Sequence, residues 1–159
     1  MGGFQELRDE AAKKLHIADY MLTMTYPIVK DPRLLLSVIE NLFLAFSYGM
    51  SALLYYEKDI KNIQYFPDTF SGKLELFRDN CSQKYNIDDE TLKIMQEIRE
   101  ILIAHKKSPI EFARKESLII CSGSYEMMQI SANTIKGYVE KAKLFIKNVS
   151  AIISHEEVM

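Results

Sequence analysis

A chain of 159 residues, 48% hydrophobic and 26% charged, is long enough for one domain with a buried core and too apolar for a disordered segment. A formal net charge of −2 excludes a globally basic nucleic-acid binder but leaves room for a local basic patch. The two cysteines, Cys81 and Cys121, form no CxxC pair, which argues against a zinc site. Two reduced thiols are expected, with a single disulfide as the alternative. The start, MGGFQELRDE, has no apolar signal core, and Glu6 occupies the place where a myristoylated Gly2 would need Ser or Thr. These features read as a cytoplasmic protein without membrane attachment, metal or other cofactor.

Leu7, Ala11, Leu15, Ala18 and Leu22 recur at helical spacing and predict a first helix from Phe4 to Met24. The run TYPIVKDP should break it through Pro27 and Pro32. Asp31 then reads as an N-cap, with Pro32 at the first helical position. A second helix is expected from Pro32 to Asp59. Its stretch LLLSVIENLFLAFSYGMSALLYY is apolar nearly all round and long enough to cross a membrane. Glu40 and Asn41 sit together inside it, serines are scattered through it, and no second span follows. A central helix, buried on several sides, is the stronger reading.

KNIQYFPDTFSG reads as a loop, followed by a third helix from Lys73 to Tyr85. Asp88 caps a fourth helix, from Asp89 to Lys107, which ends before Pro109. IEFARKESLIICSGS is ambiguous: Leu118 to Cys121 is either a short extended run or a helix tail. A fifth helix, from Ser131 to Ser154, carries Ile135, Val139, Ala142, Phe145, Ile146, Val149 and Ile152, with HEEVM as a frayed tail. Long helices with short links predict one all-α domain over residues 1–159, an antiparallel bundle of about five helices. There is no strand–helix alternation and no Gly-rich phosphate loop, which removes the nucleotide-binding α/β folds.

The candidate chemistry lies in EIREILIAHKKSP. Ile94, Met95, Ile98 and Leu102 form an apolar stripe on the fourth helix, and His105 falls within it. Arg99 lies about 120° round the wheel from His105 and about 9 Å away along the axis. Arg99 and His105 are the candidate catalytic pair. Lys106, Lys107, Arg114 and Lys115 are candidates for binding phosphate, as a local basic excess in an otherwise acidic chain. The plain alternative makes His105 a packed core residue and the lysines a solvated helix end. Glu40, if buried, needs a cation, with Arg99 or His105 the natural partner; at a helix edge it would face solvent. His16 and His155 have no metal-like partners in the sequence. The apolar arcs of the second and fourth helices exceed what one small core needs, which predicts a homodimer.

Arg99-Glu-Ile-Leu-Ile-Ala-His105, late in a small helical chain and after a long central helix, resembles the HEPN (higher eukaryotes and prokaryotes nucleotide-binding) domain. The resemblance covers most of the chain in architecture and a handful of residues in motif. It implies a homodimer whose paired Arg and His residues cut RNA without metal, or a non-catalytic binder of RNA or nucleotides. The competing reading is a non-catalytic helical interaction module that binds a protein partner or a second copy of the chain, with His105 as packing.

Overall fold

The computed structural model describes residues 3–60, 65, 67–108, 110–122 and 126–158, with side chains as far as 154. The chain is mostly helical: 76% helix, in five helices when the first two helical segments are taken as one rod. Helix α1 (Gly3–Tyr20) passes into a π-helical turn, Met21–Thr25, and a last short turn, α2 (Tyr26–Val29). The break expected at Pro27 is therefore absent. Pro27 has no N–H and crowds the carbonyl four residues back, and the wider π turn just ahead of it makes that room. The rod ends instead at Lys30, in the left-handed region at φ 56°.

Asp31 accepts a hydrogen bond from the backbone N–H of Arg33 at 3.0 Å, and α3 (Leu34–Asp59) follows. Its residues Leu35, Ile39, Leu42, Met50, Leu53 and Leu54 are fully buried. Helices α1 and α6 (Ala132–Val158) form its principal walls, with α4 (Phe70–Phe77) and α5 (Asp89–Lys107) packed on other sides. Among the described residues, α3 is the one helix long and apolar enough to cross a membrane, and 56% of that apolar window is buried in this fold. Helix α4 begins three residues before the expected Lys73, because the Thr69 hydroxyl accepts from the N–H of Gly72 at 3.1 Å. It runs on through a second π turn, Arg78–Ser82. Pro109, expected to end α5, lies outside the described residues; α5 stops at Lys107 with Ser108 in extended geometry. Helix α6 continues through most of the tail expected to fray.

The all-α expectation is corrected by a small antiparallel sheet, in the order β1 (Ile110–Arg114), β2 (Ser117–Cys121), β3 (Met127–Ser131). Ile110 pairs with Cys121 and Arg114 with Ser117; Leu118 pairs with Ile130 and Ile120 with Met128. Leu118, Ile120 and Ile130 point into the core from one face. Ser131 ends β3 and at once accepts from the N–H of Thr134, so strand passes directly into α6.

Helices α3 and α6 meet at Gly49, where an added Cβ would lie 2.8 Å from the Phe145 ring and 2.9 Å from Ile146. Gly137 on α6 has open space at the same position. Gly49→Val should therefore destabilise the fold by about 1–3 kcal/mol through overpacking. Gly137→Ala should stabilise it by up to about 1 kcal/mol through helix propensity alone. Urea titration of the two variants beside the parent reads both signs.

Candidate functional site: a cleft between α3 and α5

Helix α5 carries most of the candidate residues, so its anchoring positions the site. At its start the Asp88 carboxylate accepts from the Thr91 N–H at 2.9 Å and from the Lys141 ammonium of α6 at 2.9 Å. Hydrogen bonds from the Thr91 hydroxyl, Lys141 and the Thr91 N–H hold the Asp88 carboxyl down at about 2. Further along, the Tyr138 hydroxyl donates to Glu97 at 2.9 Å and ties α6 to α5 again. Burial, then that carboxylate, pushes the Tyr138 phenol above its ordinary range.

Arg99, His105 and Lys106 of α5 line one open cleft with Glu40, Phe43 and Leu44 of α3, about 550 Å³ in volume. Leu102 and Ile103 complete an apolar lining with charged groups among it. The Arg99 guanidinium carbon sits 5.5 Å from the centroid of the Phe70 ring, which itself packs 5.1 Å from Phe43. This cation–π contact holds the guanidinium without neutralising it. Among the described residues, Arg99, Lys106 and Glu40 take part in no ion pair. A smaller hollow of about 190 Å³, lined by Phe70, Glu75, Arg78 and Gln96, lies along Arg99 as well.

His105 is not enclosed in the core: its side chain is 39% exposed. Its Nδ1 lies 2.6 Å from Oε1 of Glu111 on β1. That strand comes from the ambiguous segment, so the sheet supplies a neighbour of His105 that the helical reading did not contain. Ser108 helps to place it, donating to the Cys121 carbonyl at 2.7 Å across the root of the hairpin.

The predicted basic residues divide. Lys106 is on the cleft, and Lys107 is exposed at the helix end without lining it. Arg114 and Lys115 sit at the β1–β2 turn, where they line a separate polar hollow of about 740 Å³ with Glu116, Ser117, Gln129 and Ser131. At about 3.3 Å per strand residue, Arg114 is about 10 Å along β1 from Glu111.

Glu40 is exposed, which corrects the reading of it as a buried partner for Arg99 or His105. Its neighbours Ile39 and Leu42 take the inward face, and Glu40 is left on the wall of the cleft. The buried acid of α3 is Glu57, fully enclosed, with Lys84 Nζ at 2.9 Å and the Tyr85 hydroxyl donating to the same oxygen. Burial, then the Glu57 hydrogen bond, drives the Tyr85 phenol far above its usual range. The signal for it was the spacing: Met50, Leu53, Leu54 and Glu57 lie on one buried stripe.

The Asp88 cluster has a pH signature. Its carboxyl is depressed from 3.8 to about 2, so its stabilisation is present above 3.8 and is lost as pH falls toward 2. Asp88→Ala should cost about 0.5–2 kcal/mol at neutral pH through the lost cap, and Asp88→Asn less, because Asn still caps. Both should remove this acid-dependent increment, as read by urea midpoints between pH 5 and about pH 2.

In comparisons with known proteins, no family model and no curated protein matches this chain.

Proposed function

We propose that this chain is a HEPN-like helical protein that acts as a two-fold dimer on RNA or nucleotides through the Arg99–His105 cleft. The observation that supports it is the gathering of Arg99, His105 and Lys106 on one open cleft, with no carboxylate paired to Arg99 or Lys106 among the described residues. An uncommitted guanidinium, stacked on Phe70, presents a fork to two phosphate oxygens. The part-exposed imidazole of His105 lines the same cleft and can accept or give a proton through either ring nitrogen.

The proposed reaction is internal transesterification. The imidazole of His105 removes the proton of a ribose 2′-hydroxyl, and the 2′-oxygen attacks the adjacent phosphorus. The bond from phosphorus to the 5′-oxygen breaks, and a 2′,3′-cyclic phosphate forms. The protonated His105 of the second copy, across the two-fold cleft, returns a proton to the departing 5′-oxygen. Arg99 stabilises the charge that builds on the phosphorane oxygens. Lys106, with Lys107, Arg114 and Lys115 farther out, draws the rest of the phosphate backbone.

A second reading is favoured by the sheet. Ile110, Phe112 and Met127 are exposed together on its outer face, 58%, 42% and 67% respectively. In an interaction module with a protein partner, the His105–Glu111 pair would serve only to fasten this hairpin to α5.

Single-stranded RNA incubated with the protein in chelator separates the two. Cleavage leaving cyclic phosphate ends is expected, with losses of about 10²–10⁴ in rate for His105→Ala. Arg99→Ala should both slow cleavage and weaken RNA binding. A parent that binds RNA without cutting it, with binding reduced in Arg99→Ala, leaves a non-catalytic binder. A parent that neither cuts nor binds leaves the interaction module. Sedimentation should give the dimer mass at micromolar concentration; a monomer throughout removes the two-fold site.

A further inference from the structure

We infer that Glu111 is the positioning residue of His105: it selects the imidazole tautomer and holds Nε2 free for proton transfer. The inference rests on the proposed acid–base role of His105 and adds to it a residue outside the Arg-x5-His element, on a different kind of secondary structure.

An ionised carboxylate has no proton to give, so a contact of 2.6 Å between Glu111 Oε1 and His105 Nδ1 is made by an N–H on Nδ1. In the neutral ring the other nitrogen, Nε2, is then the base. Among the described residues Nε2 has no protein partner, and the ring lines the open cleft beside Arg99 and Lys106. The side chain of Glu111 is only 23% exposed, so water competes weakly for the contact. A free imidazole prefers the proton on Nε2, which would leave the wrong nitrogen as the base; the carboxylate reverses that preference. When Nε2 takes up a proton, the same carboxylate faces the positive charge across the ring, with no proton passing to it.

The backbone makes the contact rigid. Glu111 is the second residue of β1, pairs with Ile120 on β2, and follows Ser108, whose hydroxyl donates to the Cys121 carbonyl. Ile120 is buried at 1% exposure, so the strand that carries Glu111 is registered against the core itself. The carboxylate is thus held by the sheet and the imidazole by the helix. Neither is on a freely moving loop, as a positioning contact requires.

The test uses the full chain with labelled histidine and three variants, Glu111→Asp, Glu111→Gln and Glu111→Ala. Long-range proton–nitrogen NMR correlations should show the neutral His105 ring of the parent protonated on Nδ1. Glu111→Ala should move that proton to Nε2. Against single-stranded RNA in chelator, kcat should fall about 10–100-fold in Glu111→Ala, with KM within twofold. Glu111→Gln, whose amide N–H can donate to Nδ1 and favour the wrong tautomer, should fall at least as far as Glu111→Ala, and Glu111→Asp should recover part of the loss. Thermal melts confirm that each variant is folded at the assay temperature. A parent ring protonated on Nε2, or variants that cut as fast as the parent, overturns the positioning role while the proposed function stands. A parent that cuts no RNA removes the proposed cleavage, and the catalytic role of Glu111 falls with it even where RNA still binds.

Discussion

At Gly49, α3 and α6 come so close that no side chain fits between them. Phe145 fills the space instead, its ring against Phe46 of α3 at 5.6 Å and against Phe77 of α4 at 6.1 Å. One missing Cβ thus lets three helices share an aromatic centre. Fully burying a large apolar side chain contributes about 1.5–3 kcal/mol, and α3 carries many of them. With α3 fixed between α1 and α6, the remaining elements have limited choices. Helix α5 lays Ile94, Met95, Ile98 and Ile101 toward the core, and this rotation leaves Arg99 and His105 at its margin with Lys106 beyond them.

The cleft is therefore a by-product of core packing, lying between α3 and α5. Helix α3 contributes Glu40, Phe43 and Leu44, and α5 contributes the cations. The hairpin reaches back to the end of α5 and sets a carboxylate against the imidazole. Each group comes from an element whose own position is secured elsewhere: α5 by Asp88 and Tyr138 to α6, and the hairpin by its buried strand β2.

Much of this was legible in sequence. The long periodic stretches marked the main helices, and Asp88 marked the start of α5 to the residue. Arg99 and His105 stood out, although a wheel alone put them about 120° apart; their sharing of a cleft depends on the wall supplied by α3. Of the sheet, only β2 was legible, as the extended one of two readings of Leu118 to Cys121. Strand β2, SLIIC, is buried almost throughout, and a continuous apolar run has the same pattern in a strand as in a buried helix. Strand β3 contains Met and Gln, which favour helices locally, and only pairing with β2 makes it extended. Nothing local to Glu111 therefore marks it as a neighbour of His105. The partners of Glu57, Lys84 and Tyr85, lie 27 and 28 residues away, so the residues around it do not show the pair.

The cluster around Glu57 also governs the reactivity of the chain's sulfur. Cys81 is fully buried beside it, and burial, then the nearby carboxylate, pushes the thiol up to about 12. At neutral pH almost none of it is thiolate, the form that reacts with alkylating and oxidising agents. Cys121, on the last residue of β2, is partly exposed and also free. The two thiols thus record different events: Cys121 the local condition of the hairpin, Cys81 the opening of the interior. Timed alkylation of the unmodified protein resolves the loosening of the sheet from the unfolding of the helical core, with no probe added to the sequence.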